Sequence, residues 1–265
     1  MNKKTIQSVF LGMVLLLMYL PILILAVYSF MDSAIIGRSG SFTVKNYVYL
    51  FHSEDLRSMI FGTLILALVV AVISTILGTL GAIGAFYSSK KFKRPIHLMN
   101  QIPVVNADVV TGFSICVLLI VFFKMDKASY VPLVIGLVSL CSPFVYLSVI
   151  PRLKQMDPQL YEAALDLGCS PFGALRKVVL PQLTSGIVSG FMMSITLTLD
   201  DYFITTYTKP SMFDTISTYV VNATKGAQTD VKTALWALST IIFLIVIFVV
   251  IGMNHTGRKE NDHEI

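Results

Sequence analysis

Long, uninterrupted runs of apolar residues dominate the hydrophobic pattern of this chain. An α-helix needs about 20 such residues to cross a hydrocarbon core of about 30 Å. Six segments are predicted to form helices of this kind: residues 9–30, 60–87, 103–123, 131–150, 183–207 and 234–253. In the second segment, Gly78 and Gly81 each lie four residues before an alanine, a spacing that lets two helices pack closely. The pattern therefore predicts an all-α membrane protein, with residues 1–265 forming a single domain of six transmembrane helices.

The composition agrees with a location in the membrane. Hydrophobic residues make up 55% of the chain and charged residues 13%, whereas soluble domains contain about 25% charged residues. The three cysteines and four histidines are scattered along the chain. They have the spacing of neither a disulfide framework nor a metal site, so the sequence predicts neither.

The positive charges predict how the chain is oriented, because Lys and Arg are concentrated in the cytoplasmic loops of membrane proteins. With a cytoplasmic N-terminus, the six spans place 12 of the 20 Lys and Arg residues inside and 8 outside. The densest cluster, Lys90 to Arg94, follows the second span on the inside, where it can contact membrane lipid headgroups. Both termini and segment 151–182 are then predicted to be cytoplasmic. The net charge of +5 is explained by this topology and does not call for a nucleic-acid partner.

Segment 151–182 is a polar insert between the fourth and fifth spans. Asp157 and Pro158 are residue types typical of the N-cap and the first position of a helix. A short helix is therefore predicted over residues 158–167. Gly168 follows it and permits the left-handed turn that ends many helices.

A second short helix is predicted after this glycine. Ser170 and Pro171 repeat the cap-and-proline start, and the helix is expected to reach about residue 180, before Pro181 separates it from the fifth span. On the first helix, four apolar residues share one face at helical spacing: Leu160, Ala163, Ala164 and Leu167. Small side chains there would let a helix lie closely in a groove of another protein. The alternative is an amphipathic hairpin that only joins two spans.

The insert also carries a longer pattern: Glu-Ala-Ala, three residues, Gly, nine residues, Val, one residue and Leu-Pro. This pattern resembles the EAA loop of the inner-membrane permeases of ABC importers, which usually have Ile where this chain has Val178. The resemblance implies the type I ABC-importer permease fold in a bacterial cytoplasmic membrane. It also implies that the insert between helices 4 and 5 carries a coupling helix that docks on an ATPase. The residues it assigns to this coupling are Glu162, Ala163, Ala164, Asp166, Gly168, Leu180 and Pro181.

The same resemblance implies a complex of several chains. The expected partners are a second permease subunit, a dimer of ATP-binding subunits and an extracytoplasmic solute-binding protein. ATP and Mg²⁺ would bind to the ATPase partner, so this chain would hold no cofactor and would not be an enzyme. The sequence agrees with the expectation that ATP binds elsewhere, since the chain has no G-x-x-x-x-G-K-[ST] phosphate-binding motif.

Within this family, the chain is most similar to the PotC-type permeases of spermidine/putrescine importers. The further matches are Tyr19 to Ile22, Phe42 to Tyr47, Asn106 to Val110, Pro143-Phe144 and Leu199 to Tyr202. One departure concerns the third span. Polyamine permeases tend to have proline directly before its acidic residue, whereas here Ala107 precedes Asp108 and the proline is Pro103.

Three carboxylates fall inside the predicted spans, and they are the candidates for the substrate path: Asp108, Asp200 and Asp201. An ionised group in the bilayer costs at least about 2.5–3.5 kcal/mol on insertion scales, so a functional role is expected. We expect Asp108 one turn inside the cytoplasmic end of its span, and Asp200 about 25 Å along its span, near the outer mouth. Carboxylates at two depths could bind the ammonium groups of a polycation in turn, and Tyr202 could add a cation–π contact.

Other roles for these carboxylates stay open. One of them could cap a broken helix or pair with the partner permease. Asp200 and Asp201 are adjacent, so on a helix their side chains point about 100° apart and cannot face a pore equally. A magnesium-dependent membrane enzyme is disfavoured, because no third acidic residue follows within a few positions. The leading hypothesis is the permease of an ATP-driven polyamine importer. The alternatives are a permease for another small solute and an ion-coupled secondary transporter.

Overall fold

Helices make up nearly all of the computed structural model, which describes residues 3–32, 40–157, 159–225, 233–241 and 243–244. Within these ranges, the only β pairing is an isolated bridge between Met31 and Phe42. The chain divides into two compact units, Met1–Ser58 with Val220–Ile265 and Met59–Tyr219. The all-α prediction is confirmed, while a single domain over the whole chain stays a prediction.

The first unit contains α1 (Lys3–Tyr28), α2 (Lys45–His52) and a helical stretch at residues 233–241. Asn46 of α2 ties this unit together, because its side-chain amide donates to Ser29 O at 2.8 Å and to Met31 O at 3.0 Å. The ring of Trp236 meets that of Tyr28 edge-on, with the centroids 6.1 Å apart. Most of the sixth predicted span lies outside the described residues.

The second unit contains the remaining described helices. They are α3 (Glu54–Tyr87, which begins in the first unit), α4 (Lys90–Val105), α5 (Asp108–Cys116), α6 (Val131–Gln155), α7 (Gln159–Asp166), α8 (Pro171–Ala174), α9 (Leu180–Gln182), α10 (Thr184–Asp200), α11 (Phe203–Thr208) and α12 (Ile216–Lys225, which ends in the first unit). Two π-helical stretches continue α5 and α8: Val117–Phe122 and Leu175–Val179.

Within the second unit, α6 packs against both α3 and α10 through glycines. A Cβ added at Gly78 of α3 would lie 2.6 Å from Val145 Cβ and 2.8 Å from the backbone oxygen of Ser142. A Cβ at Gly190 of α10 would lie 3.1 Å from the Cα of the same residue, Val145. Backbones can approach this closely only where no side chain intervenes. The predicted close packing at Gly78 is therefore confirmed.

Among the described residues, three helices are long and apolar enough to cross a membrane by themselves: Gln7–Tyr28, Glu54–Tyr87 and Val131–Gln155. They correspond to the first, second and fourth predicted spans. The predictions of one continuous helix over 103–123 and one over 183–207 are wrong. The chain bends by 106° between α4 and α5, and α10 ends at Asp200, three residues before α11 begins at Phe203. The count of six spans stays a prediction.

Polar side chains explain both breaks. Asn106 and Ala107 have extended backbone, with ψ of 149° and 134°, and the Asn106 amide donates to Thr111 Oγ1 at 3.0 Å. Asp201 is extended as well, with ψ of 121°. Short polar side chains compete for backbone hydrogen bonds and favour caps and turns over helix interiors. Counting apolar residues does not detect this competition.

Candidate functional site

Asp108 is the first residue of α5, directly after the 106° bend, and its side chain is exposed. The face that continues from it packs along α11. A Cβ at Gly112 would lie 3.1 Å from Ile204 N, and one turn further on the Cys116 thiol donates to Tyr207 O at 3.3 Å. Gly112 thus contacts Ile204, and the later residue Cys116 contacts the later residue Tyr207. The two helices α5 and α11 therefore run side by side in the same direction.

Asp201 lies two residues before α11 and is only 8% exposed. Its Oδ2 accepts hydrogen bonds from the Thr205 N–H at 2.7 Å and from the Thr205 hydroxyl at 2.8 Å, and its Oδ1 accepts from the Ile204 N–H at 3.4 Å. The carboxylate therefore caps the first turn of α11, whose free N–H groups would otherwise lack partners. This is the role of an aspartate at a broken helix that the sequence left open.

The structure brings Asp108 and Asp201 together. Asp108 begins α5 and Asp201 lies two residues before α11, and these two helices run in parallel, so both residues lie at the same end of the α5–α11 pair. Asp201 follows the 17 residues of α10, which span about 25 Å, so the pair lies at the end of α10 that is remote from the insert. The predicted placement of the carboxylates at two depths is wrong, because it assumed that the third span was one straight helix beginning at residue 103.

The neighbours of this pair differ in exposure. Asp200 is exposed at the end of α10 while Asp201 is buried, so the two adjacent carboxylates have different environments. Tyr202 is half-buried, and its ring contacts that of Phe203 with the centroids 5.3 Å apart. In the described part of the chain, the one ion pair joins Lys209 and Asp214. No described basic side chain therefore pairs with Asp108 or Asp201.

The insert forms the capped helices that its sequence predicts. Asp157 Oδ1 accepts from the Gln159 N–H at 2.9 Å at the start of α7. Gly168 ends α7 with φ of +85°, while the Cys169 N–H donates to Ala164 O at 3.0 Å. Ser170 Oγ accepts from the Gly173 N–H at 3.1 Å and caps α8. The second helical segment runs on to Gln182 and then bends by 70°, so Pro181 lies within its last turn and does not end it.

The insert presents large apolar side chains at its surface. Leu167 is 87% exposed and Phe172 is 74% exposed. The remaining residues assigned to coupling divide into the exposed Glu162, Ala163, Asp166, Gly168 and Pro181, the half-buried Leu180 and the buried Ala164. Placing Ala164 on the docking face was wrong, because only 7% of it is exposed and it packs within its own chain.

Sequence reasoning missed several polar residues around this region. Thr205 binds the Asp201 carboxylate, and the Ser217 hydroxyl donates to the Asp201 backbone oxygen at 2.8 Å. Lys209 and Asp214 form an ion pair in the loop after α11. The signal for them was the run of Thr, Ser, Lys and Asp between residues 205 and 218, in which the fifth apolar segment loses its hydrophobic character.

The sequence matches the family described as binding-protein-dependent transport system inner membrane component over residues 77–256. The chain belongs to this family. The PotC spermidine/putrescine transport system permease protein of Escherichia coli (strain K12) is 28% identical over 245 residues, covering 92% of this permease and 90% of PotC. The putrescine transport system permease protein PotI of the same organism is 29% identical over 238 residues, covering 85% and 81%.

Solved structures show the same fold for this permease. A bacterial ABC transporter involved in the import of the acidic polysaccharide alginate matches with a TM-score of 0.71 and 16% identity, covering 95% of each chain. The alginate transporter in complex with a periplasmic protein that carries an alginate pentasaccharide matches with a TM-score of 0.70 and 17% identity, covering 92% and 91%. This chain is therefore a multi-pass membrane protein and the permease component of an ABC importer, as its insert indicates.

Proposed function

We propose that this permease carries polyamines such as spermidine or putrescine, and that Asp108 and Asp201 bind an ammonium group of the solute during passage. The observation that carries the proposal is the parallel packing of α5 and α11, which start at breaks in two spans and bring Asp108 and Asp201 to the same end of the helix pair without a described basic partner. Two anions placed close together repel each other, and a cation between them removes that repulsion. A primary ammonium also donates charge-assisted hydrogen bonds to carboxylates.

The relatives support the same class of solute, because PotC and PotI are named as spermidine and putrescine permeases. The fold alone does not choose a solute, since the alginate importers share it while importing an acidic polysaccharide. The charge of the site favours a cation over such an anion. Asp200, exposed beside the pair, adds a further negative charge on the path, and Tyr202 offers a ring face to an ammonium group.

The exposed insert supports a separate docking role. Large apolar side chains such as Leu167 and Phe172 gain stability when a partner covers them. We infer that this surface binds the ATP-binding subunit dimer, which would hold the ATP and Mg²⁺. The Lys and Arg distribution supports a cytoplasmic location for the insert and both termini. A second permease subunit and a solute-binding protein complete the proposed complex, the latter supported by the fold neighbour that binds a periplasmic protein.

Uptake of labelled putrescine and spermidine by the assembled importer tests the proposal. Asp108→Asn removes one charge of the pair while keeping the size of the side chain, and we expect uptake to fall at least about tenfold, as for a lost charge-assisted contact. Asp32→Asn, in the first outer loop, is the matched control and should transport normally. Full uptake by Asp108→Asn would refute the site. Uptake driven by an ion gradient without ATP would instead favour a secondary transporter.

A further inference from the structure

The loop between α11 and α12 holds a lysine ammonium among oxygen atoms. Lys209 Nζ donates to Phe213 O at 2.7 Å and lies 2.9 Å from Asp214 Oδ1. The Lys209 side chain is 15% exposed and that of Asp214 is 39% exposed. A backbone carbonyl and a carboxylate are acceptors that bind a primary ammonium group. The carboxylate of Asp214 remains in contact with solvent.

These oxygen acceptors are held in place by contacts that do not involve the lysine. The Phe213 ring packs against Gly62 of α3, where an added Cβ would lie 2.9 Å from the ring, and against Tyr130, whose ring centroid is 5.2 Å away. Thr218 Oγ1 donates to Asp214 Oδ1 at 3.2 Å. The carbonyl and the carboxylate would thus keep their positions if the Lys209 ammonium left.

The first turn of α12 connects this loop with the Asp201 region. Ser217 donates to the Asp201 backbone oxygen at 2.8 Å, while the next residue, Thr218, donates to the Asp214 carboxylate. Two adjacent side chains in one helical turn therefore bind both the Asp201 backbone and the Asp214 carboxylate. Asp214 and Asp201 therefore belong to one hydrogen-bonded part of the second unit.

We propose that Phe213 O and the Asp214 carboxylate form a second site for a primary ammonium group, which Lys209 occupies in this conformation and an ammonium of the solute takes over during transport. The proposal rests on the cationic solute inferred above. Replacing one ammonium by another leaves the charge of the site unchanged, so Asp214 keeps a cationic hydrogen-bond donor throughout the exchange. Because Lys209 is tethered beside the site, it competes with the solute and weakens its apparent affinity.

A rescue experiment tests binding without requiring transport. Lys209→Ala empties the site, and we expect the purified complex in nanodiscs to melt at a lower temperature than wild type. Millimolar n-butylammonium, a primary ammonium, should restore at least half of the loss, whereas tetramethylammonium, which has no N–H group, should not. The double variant Lys209→Ala/Asp214→Asn should show no rescue. Equal effects of both cations, or no effect of either, would overturn the proposed site.

Uptake kinetics then test the exchange itself. In Lys209→Ala we expect the KM for putrescine uptake to fall several-fold, and adding Asp214→Asn should abolish that gain. An unchanged or raised KM together with butylammonium rescue would overturn the exchange. If the wild-type complex takes up no polyamine, the proposed function fails, while the melting experiment still decides whether the site accepts an ammonium group.

Discussion

Asp201 Oδ2 accepts hydrogen bonds from both the backbone N–H of Thr205, at 2.7 Å, and the Thr205 hydroxyl, at 2.8 Å. Asp201 also lies at the same end of the parallel α5–α11 pair as Asp108, the first residue of α5. Asp201 therefore has a structural role as a helix cap and supplies one of the charges of the candidate site. These two roles can be separated, because asparagine keeps a side-chain acceptor and lacks the charge.

The first prediction compares two substitutions of Asp201. Asp201→Asn should keep the cap and melt within a few degrees of wild type, but polyamine uptake should fall at least about tenfold because the charge-assisted contact is lost. Asp201→Ala should lose uptake and also about 1 kcal/mol of stability, the usual contribution of a cap. Thermal melting and labelled uptake on the same preparations measure both effects. Normal uptake by Asp201→Asn would show that Asp201 only caps the helix.

Features that depend on neighbouring residues could be predicted from the sequence. The left-handed turn at Gly168 and the cap at Ser170 follow from hydrogen bonds that reach only a few positions along the chain. The apolar runs predicted the long helices because an apolar segment of about 20 residues has few other stable environments.

Features that depend on distant residues could not be predicted. The meeting of Asp108 and Asp201 requires two helix breaks and the packing of α5 along α11, and neither break interrupts the apolar runs enough to be seen. Ala164 is buried by other parts of the chain, while its neighbour Ala163 is exposed, although the two residues are identical in type. Pairing of Lys209 with Asp214 depends on the path of the loop after α11.

The second prediction concerns the turn at Gly168. Its φ of +85° is disfavoured for residues with a Cβ, by about 1–2 kcal/mol, although no atom lies within 4 Å of an added Cβ. Gly168→Ala should therefore alter the path from α7 to α8 and lower transport-coupled ATP hydrolysis, with the protein still inserted in the membrane. Gly168→Asn should be milder, since Asn adopts this conformation more readily.

Gly84→Ala is the matched control for Gly168→Ala, because an added Cβ there also meets nothing within 4 Å and Gly84 lies in the regular helix α3. It should leave ATP hydrolysis unchanged. Equal coupling in Gly168→Ala and wild type would show that the geometry of this turn does not matter for coupling.

The third prediction tests the packing of α3 on α6. Gly78→Ala places a Cβ 2.6 Å from Val145 Cβ and 2.8 Å from Ser142 O, and such overpacking usually costs about 1–3 kcal/mol. Gly81→Ala is the control, since its nearest contact would be at 4.0 Å. Thermal melting in detergent should show a loss for Gly78→Ala alone. Adding Val145→Ala should restore only part of it, because the clash with the Ser142 backbone remains.

The fourth prediction tests the exposed surface of the insert. Leu167 is 87% exposed, so Leu167→Glu should leave the permease folded while preventing an apolar partner surface from covering this position, because burying an unpaired charge is strongly unfavourable. Copurification of the ATP-binding subunit should fall several-fold. Gln155→Glu adds the same charge at an exposed position at the end of α6 and should not reduce copurification. Retention of the ATP-binding subunit by Leu167→Glu at the wild-type level would exclude Leu167 from the docking surface.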